Sequence, residues 1–154
     1  DGDPKAYDFP RALLKDKNRL EFSFSGLKTA VRYKLVGYGK TDFADLDLSP
    51  QQVADLAASF QEATVDCLVG KASQALKTTG MKTLCVGGGV AANSRFRERL
   101  EEEAARRDFE LHIAPLSLCT DNAVMGAIAL ERFLDGAFES LDLDAYPGLL
   151  RSPQ

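Results

Sequence analysis

Three consecutive glycines, Gly87-Gly88-Gly89, follow the apolar run Thr83-Leu84-Cys85-Val86 and lead into Val90-Ala91-Ala92-Asn93-Ser94-Arg95-Phe96-Arg97. Without side chains, such a turn lets backbone N–H groups come close to phosphate oxygens. The helix start behind it adds unpaired N–H donors and the positive end of a dipole. The chemistry this suits is anion or nucleotide binding. Gly87-Gly88-Gly89-Val90-Ala91-Ala92 also fits the dinucleotide fingerprint G-x-G-x-x-A, which calls for an acidic residue closing the next strand. The next strand candidate, Phe109-Glu110-Leu111-His112-Ile113, ends in Ala114-Pro115, which argues against a nicotinamide site. A plain strand-to-helix turn that binds nothing is the competing reading.

A second candidate is Cys119-Thr120-Asp121-Asn122-Ala123. Asp121 there is either a helix N-cap or a carboxylate that holds a divalent cation against phosphates. The sequence offers few other ligands. His112 is the only histidine and sits in a strand pattern, where a structural role is expected. Cys67, Cys85 and Cys119 are too far apart for a zinc cluster and read as reduced, buried core residues, which agrees with a cytoplasmic protein. Cys119, beside the Thr120-Asp121 turn, is also open to a functional role.

These residues need elements to hold them. Residues 1–18, with Pro4 and Pro10, read as an extended connection. Helical spacing at Leu27, Ala30 and Val31 follows, with Ser25 as N-cap. Ser49-Pro50-Gln51-Gln52 has the form of a capping box and opens a long helix. Val53, Leu56, Ala57, Phe60, Thr64, Cys67, Leu68 and Ala75 make its apolar stripe, and Gly80 stops it. A strand over 83–86, a helix over 94–107 and a strand over 109–113 imply parallel pairing. A last helix over 121–135 is almost wholly apolar and is expected to be deeply buried. The organisation read from this is a connecting and helical segment over 1–48, an α/β core over 49–136 and a tail of low order over 137–154.

With 154 residues, 45% of them hydrophobic, the chain suffices for one domain or for part of a two-lobed protein. The lack of an initiator methionine and the loop-like Asp1-Gly2-Asp3-Pro4 favour a fragment. Two strands also cannot cover the long apolar helices. The net charge is −4, yet residues 1–40 carry nine Lys or Arg against five Asp or Glu. That basic quarter, which includes Lys28, Arg32, Lys34 and Lys40, either meets a phosphate backbone or is a solvated face. No apolar run is long enough for a membrane span.

Three motifs in order, Phe22-Ser23-Phe24-Ser25-Gly26-Leu27-Lys28-Thr29, Gly87 to Arg97 and Cys119 to Met125, resemble the tRNA adenosine threonylcarbamoyltransferases, formerly called glycoproteases. Gly2-Asp3-Pro4 and Phe9-Pro10-Arg11 extend the likeness to about Gly2–Leu134. The resemblance implies the C-terminal portion of an actin-like, ribonuclease H-like ATPase fold, α/β and here mostly helical with a small parallel sheet. It also implies transfer of a threonylcarbamoyl group from its adenylate to N6 of the adenosine beside the anticodon. Asp121 then matches the metal-ligand aspartate, Asn93 a nucleotide- or substrate-contacting asparagine, and Gly87, Gly88 and Gly89 the turn lining the nucleotide cleft. Ser25 and Lys28 match a motif without an assigned role.

The implied cofactors are one divalent metal ion, iron or zinc, and ATP or threonylcarbamoyl-adenylate as ligand. The implied partners are tRNA, a paralogous non-catalytic subunit and a small accessory ATPase, with self-association of a fragment also open. The family's His-x-x-x-His pair and further substrate residues lie upstream of this chain. Competing readings are a metalloendopeptidase, another actin-like ATPase or sugar kinase, and a non-catalytic assembly module.

Overall fold

Ser49 caps the element on which the rest is built. Its hydroxyl accepts from the Gln52 backbone N–H at 3.2 Å, while the Gln52 side chain accepts from the Ser49 N–H at 2.9 Å. With Pro50 at the first helical position, this fixes the start of a 30-residue helix, Pro50–Thr79, closed at Gly80 as the sequence predicts. The computed structural model describes residues 2–44 and 46–143. In chain order the elements are α1 (Ser25–Val36), α2 (Pro50–Thr79), β1 (Thr83–Val86), α3 (Ser94–Arg107), β2 (Glu110–Ile113) and α4 (Ala127–Leu134). Single 3-10 turns occupy Gly89–Ala92, Leu116–Leu118 and Ala123–Gly126. β1 and β2 pair in parallel, with Thr83 opposite Glu110 and Val86 opposite Ile113. The chain divides into two compact units, Asp1–Thr120 and Asp121–Gln154.

In the first unit α2 is buried on two sides. Residues 63, 65, 67, 69, 71 and 73 are all buried, an alternation a helix shows only where opposite faces are both covered. On one side Val65 and Val69 pack with Phe96 and Leu100 of α3, over Leu84, Val86, Leu111 and Ile113 of the sheet. On the other, Ala63 packs with Phe9 and Leu27, flanked by Tyr7, Phe24, Val31 and Leu56. The predicted single stripe is therefore corrected: Val53 and Phe60 are exposed, and the N-terminal segment covers what one stripe leaves bare.

That segment is a run of turns rather than the extended connection expected, closed by Ala6 N–H to Asp3 O, Leu14 N–H to Arg11 O and Asp16 N–H to Leu13 O, and it is tied down by polar groups of α2. The buried Ser59 hydroxyl accepts from the Tyr7 N–H and donates to the Asp3 carbonyl. Arg11 donates through Nε and Nη2 to Asp66 at 3.1 and 3.0 Å, and through Nη1 to its own segment at Phe9 O. Lys71, 2% exposed, spends its three protons on Asp16 O, Arg19 O and Gln74 Oε1. A buried ammonium needs such partners, because an unpaired one costs several kcal/mol.

Three further expectations are corrected. α1 begins at Ser25, so Phe24 holds the cap position and makes no side-chain cap bond. Cys85 lies exposed on the outer face of β1, whereas Cys67 and Cys119 are buried; alternation along the strand turns Leu84 and Val86 inward instead. The last helix is shorter than predicted and not deeply buried, with Ile128 70% and Leu134 74% exposed. Among the described residues of the second unit no further α-helix or strand covers it. Residues 144–154, most of the predicted tail, lie outside the described residues.

α2 and α3 are also held by charge. Glu62 accepts from Arg95 at 2.8 and 3.0 Å and from Arg99 at 2.7 Å. The hydrogen bonds from Arg95, aided by both guanidinium charges, hold its carboxyl below the usual 4.5 despite burial. Burial pushes the Glu103 carboxyl up, but bonds from Ser73, Arg106 and Arg107 outweigh this and hold it below 4.5 as well. Groups depressed in the folded state stabilise it fully above their unfolded value, and that stability is lost as pH falls through the lower folded value. Urea unfolding should therefore give a pH-independent midpoint at neutral pH and a falling one below about pH 4.5. Glu62→Gln should remove about 1–3 kcal/mol at pH 7 and flatten the acid limb. A Glu62→Gln profile parallel to wild type would show that the pair contributes nothing.

Candidate nucleotide-binding turn and acidic loop

The apolar strand β1 delivers the chain to Gly87 at the end of the sheet that carries Ala114, whose N–H donates to Val86 O at 2.9 Å. Gly88 then has φ 84° and ψ 175°, a conformation restricted to glycine. It directs the chain into the 3-10 turn Gly89–Ala92, closed by Ala91 N–H to Gly88 O and Asn93 N–H to Val90 O. All three glycines are exposed, and nothing lies within 4 Å of where a Cβ would stand on Gly88 or Gly89. The surface over the turn is open to an incoming group.

Asn93 is the N-cap of α3. Its side-chain oxygen accepts from the Phe96 N–H at 2.9 Å and its amide donates to Gln61 Oε1 at 3.0 Å. The cap fixes where the amide points, and its second N–H stays available. Beside it, Phe60, Thr64, Leu68, Val90 and Phe96 line a mostly apolar groove of about 300 Å³. An apolar wall next to a fixed amide suits a flat heteroaromatic ring.

Sequence reasoning gave Arg97 no role, though its spacing of four from Asn93 places both on one helix face. Its guanidinium donates to Ala91 O in the glycine turn, to Ala114 O after β2, and to the buried Cys119 Sγ at 3.3 Å. Cys119 in turn donates toward Ala114 O and Pro115 O. One side chain thus joins the turn to the loop that precedes Asp121. Cys119 is a packed structural thiol here.

Asp121 opens the second unit and is exposed. The N-cap of the turn that follows is Asn122, whose side chain accepts from Val124 N–H at 3.0 Å, so the capping role falls one residue later than predicted. His112 lies on the outer face of β2 with Nε2 3.0 Å from Glu110 Oε1. Among the described residues no three His, Cys, Asp or Glu side chains gather where they could hold a metal ion. One carboxylate is too few donors for iron or zinc, so the described residues do not by themselves make a metal centre.

The family model for TsaD, tRNA N6-adenosine threonylcarbamoyltransferase, matches residues 1–128 and so takes in the N-terminal segment, the glycine turn and the acidic loop. The chain belongs to this family. It is 53% identical to the tRNA N6-adenosine threonylcarbamoyltransferase of Rhodopirellula baltica, over 97% of this chain and 44% of that protein. It is 46% identical to that of Thermotoga neapolitana, over 96% and 42%, and 46% identical to that of Syntrophobacter fumaroxidans, over 94% and 43%. The chain therefore spans less than half the length of these threonylcarbamoyltransferases. Among the described residues no helix is long and apolar enough to cross a membrane.

Gly88 and Gly89 of this family member should separate in effect. Gly88→Ala should cost about 1–3 kcal/mol in chemical denaturation, the strain of a side chain at that φ and ψ. Gly89→Ala should change stability by less than about 0.5 kcal/mol, since a Cβ there meets nothing within 4 Å. Equal stability of the two variants would contradict the geometry described.

Proposed function

We propose that the whole protein transfers the threonylcarbamoyl group from its adenylate to N6 of the adenosine beside the anticodon of tRNA. Membership in the threonylcarbamoyltransferase family, over a match that includes both the turn and the acidic loop, carries this reading. The actin-like ATPase fold belongs to the same proposal. Among the described residues, four α-helices with a two-stranded parallel sheet suit a C-terminal piece of such a lobe.

In the transfer the N6 amine forms a bond to the carbamoyl carbon as the bond to the adenylate oxygen breaks. Its chief requirement is that the two reactants be held together in the right orientation. The open turn Gly87–Gly89 would receive the phosphate, and the Asn93 amide would orient the nucleotide beside the apolar groove. Asp121 would give one ligand to a divalent ion, iron or zinc, whose other ligands come from outside this chain. A cytoplasmic location fits a tRNA substrate and the unpaired cysteines. A paralogous subunit and a small accessory ATPase would assemble on the whole protein. The isolated chain would self-associate through the unpaired edges of β1 and β2 and the apolar α4, which sedimentation would show as a concentration-dependent dimer.

Nucleoside mass spectrometry tests the activity, using tRNA incubated with the full-length protein, threonine, bicarbonate, ATP and its accessory proteins. Wild type should form threonylcarbamoyladenosine, and Asp121→Ala should lose it with an unchanged melting temperature. Modification at the wild-type rate in Asp121→Ala would reduce Asp121 to a loop residue. No product from wild type would favour a kinase or assembly role instead.

A further inference from the structure

From Phe22 to Thr41 the sequence carries Lys28, Arg32, Lys34 and Lys40 and no acidic residue, in a chain of net charge −4. α1 gives that charge a shape. Lys28 and Arg32 are four residues apart and share a face of the helix. After α1, Gly37 at φ 88° lets the chain reverse, with the Lys40 N–H reaching Gly37 O at 3.4 Å. The reversal lays the Tyr38 ring against Tyr33, centroids 4.7 Å apart, and the Arg32 guanidinium lies 5.2 Å from the Tyr33 centroid. Tyr33 thus touches both Arg32 and Tyr38, its ring tilted 44° from that of Tyr38, and Tyr38 is left 86% exposed.

Two details set this apart from an ordinary solvated face. Arg32 Nε is buried without a hydrogen-bond partner, and none of Lys28, Arg32 and Lys40 pairs with a carboxylate among the described residues. Lys34 differs, since its ammonium lies over the Tyr7 ring at 5.6 Å. Unpaired cations beside a braced, exposed aromatic ring are what single-stranded nucleic acid requires: charge for phosphates and a flat face for an unstacked base.

We propose that α1 and the turn after it form an RNA-docking surface. Lys28, Arg32 and Lys40 meet backbone phosphates there, and Tyr38 stacks on an unpaired base of the anticodon loop. The identity of the RNA rests on the transferase reading above; the surface itself rests on the side chains just described.

The test is fluorescence anisotropy of a labelled tRNA anticodon stem-loop titrated with the full-length protein at several salt concentrations. Lys28→Glu combined with Lys40→Glu should weaken binding about tenfold or more and lower the slope of log Kd against log salt by more than about one. Tyr38→Ala should weaken it about fivefold or more with the slope unchanged, and Tyr38→Phe should restore it. Lys82→Glu, just before β1, should bind as wild type. Variants that keep their melting temperature, wild-type affinity and salt slope would overturn the proposal, as would loss of binding equally in Lys82→Glu. The two readings fail separately. Binding through this surface without modified nucleoside removes the transferase and leaves the surface, whereas normal binding and modification by every variant removes the surface and leaves the transferase.

Discussion

Burial of the middle of α2 on two opposite sides is the constraint on which the first unit depends. A helix covered that way cannot put its polar groups in water, so each of them must find a partner within the protein. Ser59, Lys71 and Ser73 all do, and their partners lie on segments far away in sequence. Ser59 and Lys71 bind carbonyls of the N-terminal segment, while Ser73 donates to Glu103 of α3. The polar groups thereby fix which segment lies on which side, where apolar burial alone would leave registers of similar energy.

The ion pairs extend the same division. Arg11 and Arg99 both reach Asp66, from the N-terminal segment and from α3 respectively, and Arg99 continues to Glu62, which Arg95 also binds. These side chains are only partly buried, so each pair alone contributes modestly. Their joint effect is orientation, since a guanidinium shared between two carboxylates on successive turns of α2 holds α3 at a set azimuth. α3 carries Asn93 at its start and Arg97 one turn later. The charge network therefore bears on the candidate site without touching it.

Local signals were the legible ones. The Ser49 capping box, the Gly80 stop, the parallel strands and the turn at Gly88 each depend on residues close in sequence, and each stands where those residues place it. The second face of α2 was hidden because its cover is an irregular segment of turns with no periodicity of its own, recognisable only by its bonds to Ser59 and Lys71. The exposure of α4 was misjudged for the reverse reason. Its apolar composition reports the surroundings the sequence was made for, whereas burial depends on which other chain is present. At the candidate site Asn93 is legible as a residue and its cap geometry is not, and nothing in the sequence around Arg97 signals its role. Its three acceptors come together only when the turn and the post-β2 loop fold side by side.

Capping does not compete with ligand binding at Asn93. A side-chain oxygen engaged by the Phe96 N–H and a nitrogen engaged by Gln61 lock the amide plane, so its remaining N–H has one direction before any ligand arrives. The ordering entropy of that side chain is then already met in folding, and a ligand that accepts this N–H gains a bond without freezing a rotor. Arg97 acts likewise on the backbone, holding the Ala91 carbonyl and with it the geometry of the glycine turn. A phosphate settling on that turn would meet donors fixed by α3, and α3 is fixed by α2. Affinity at the turn should accordingly fall when the α2–α3 ion pairs are broken, even though none of those carboxylates lines the turn.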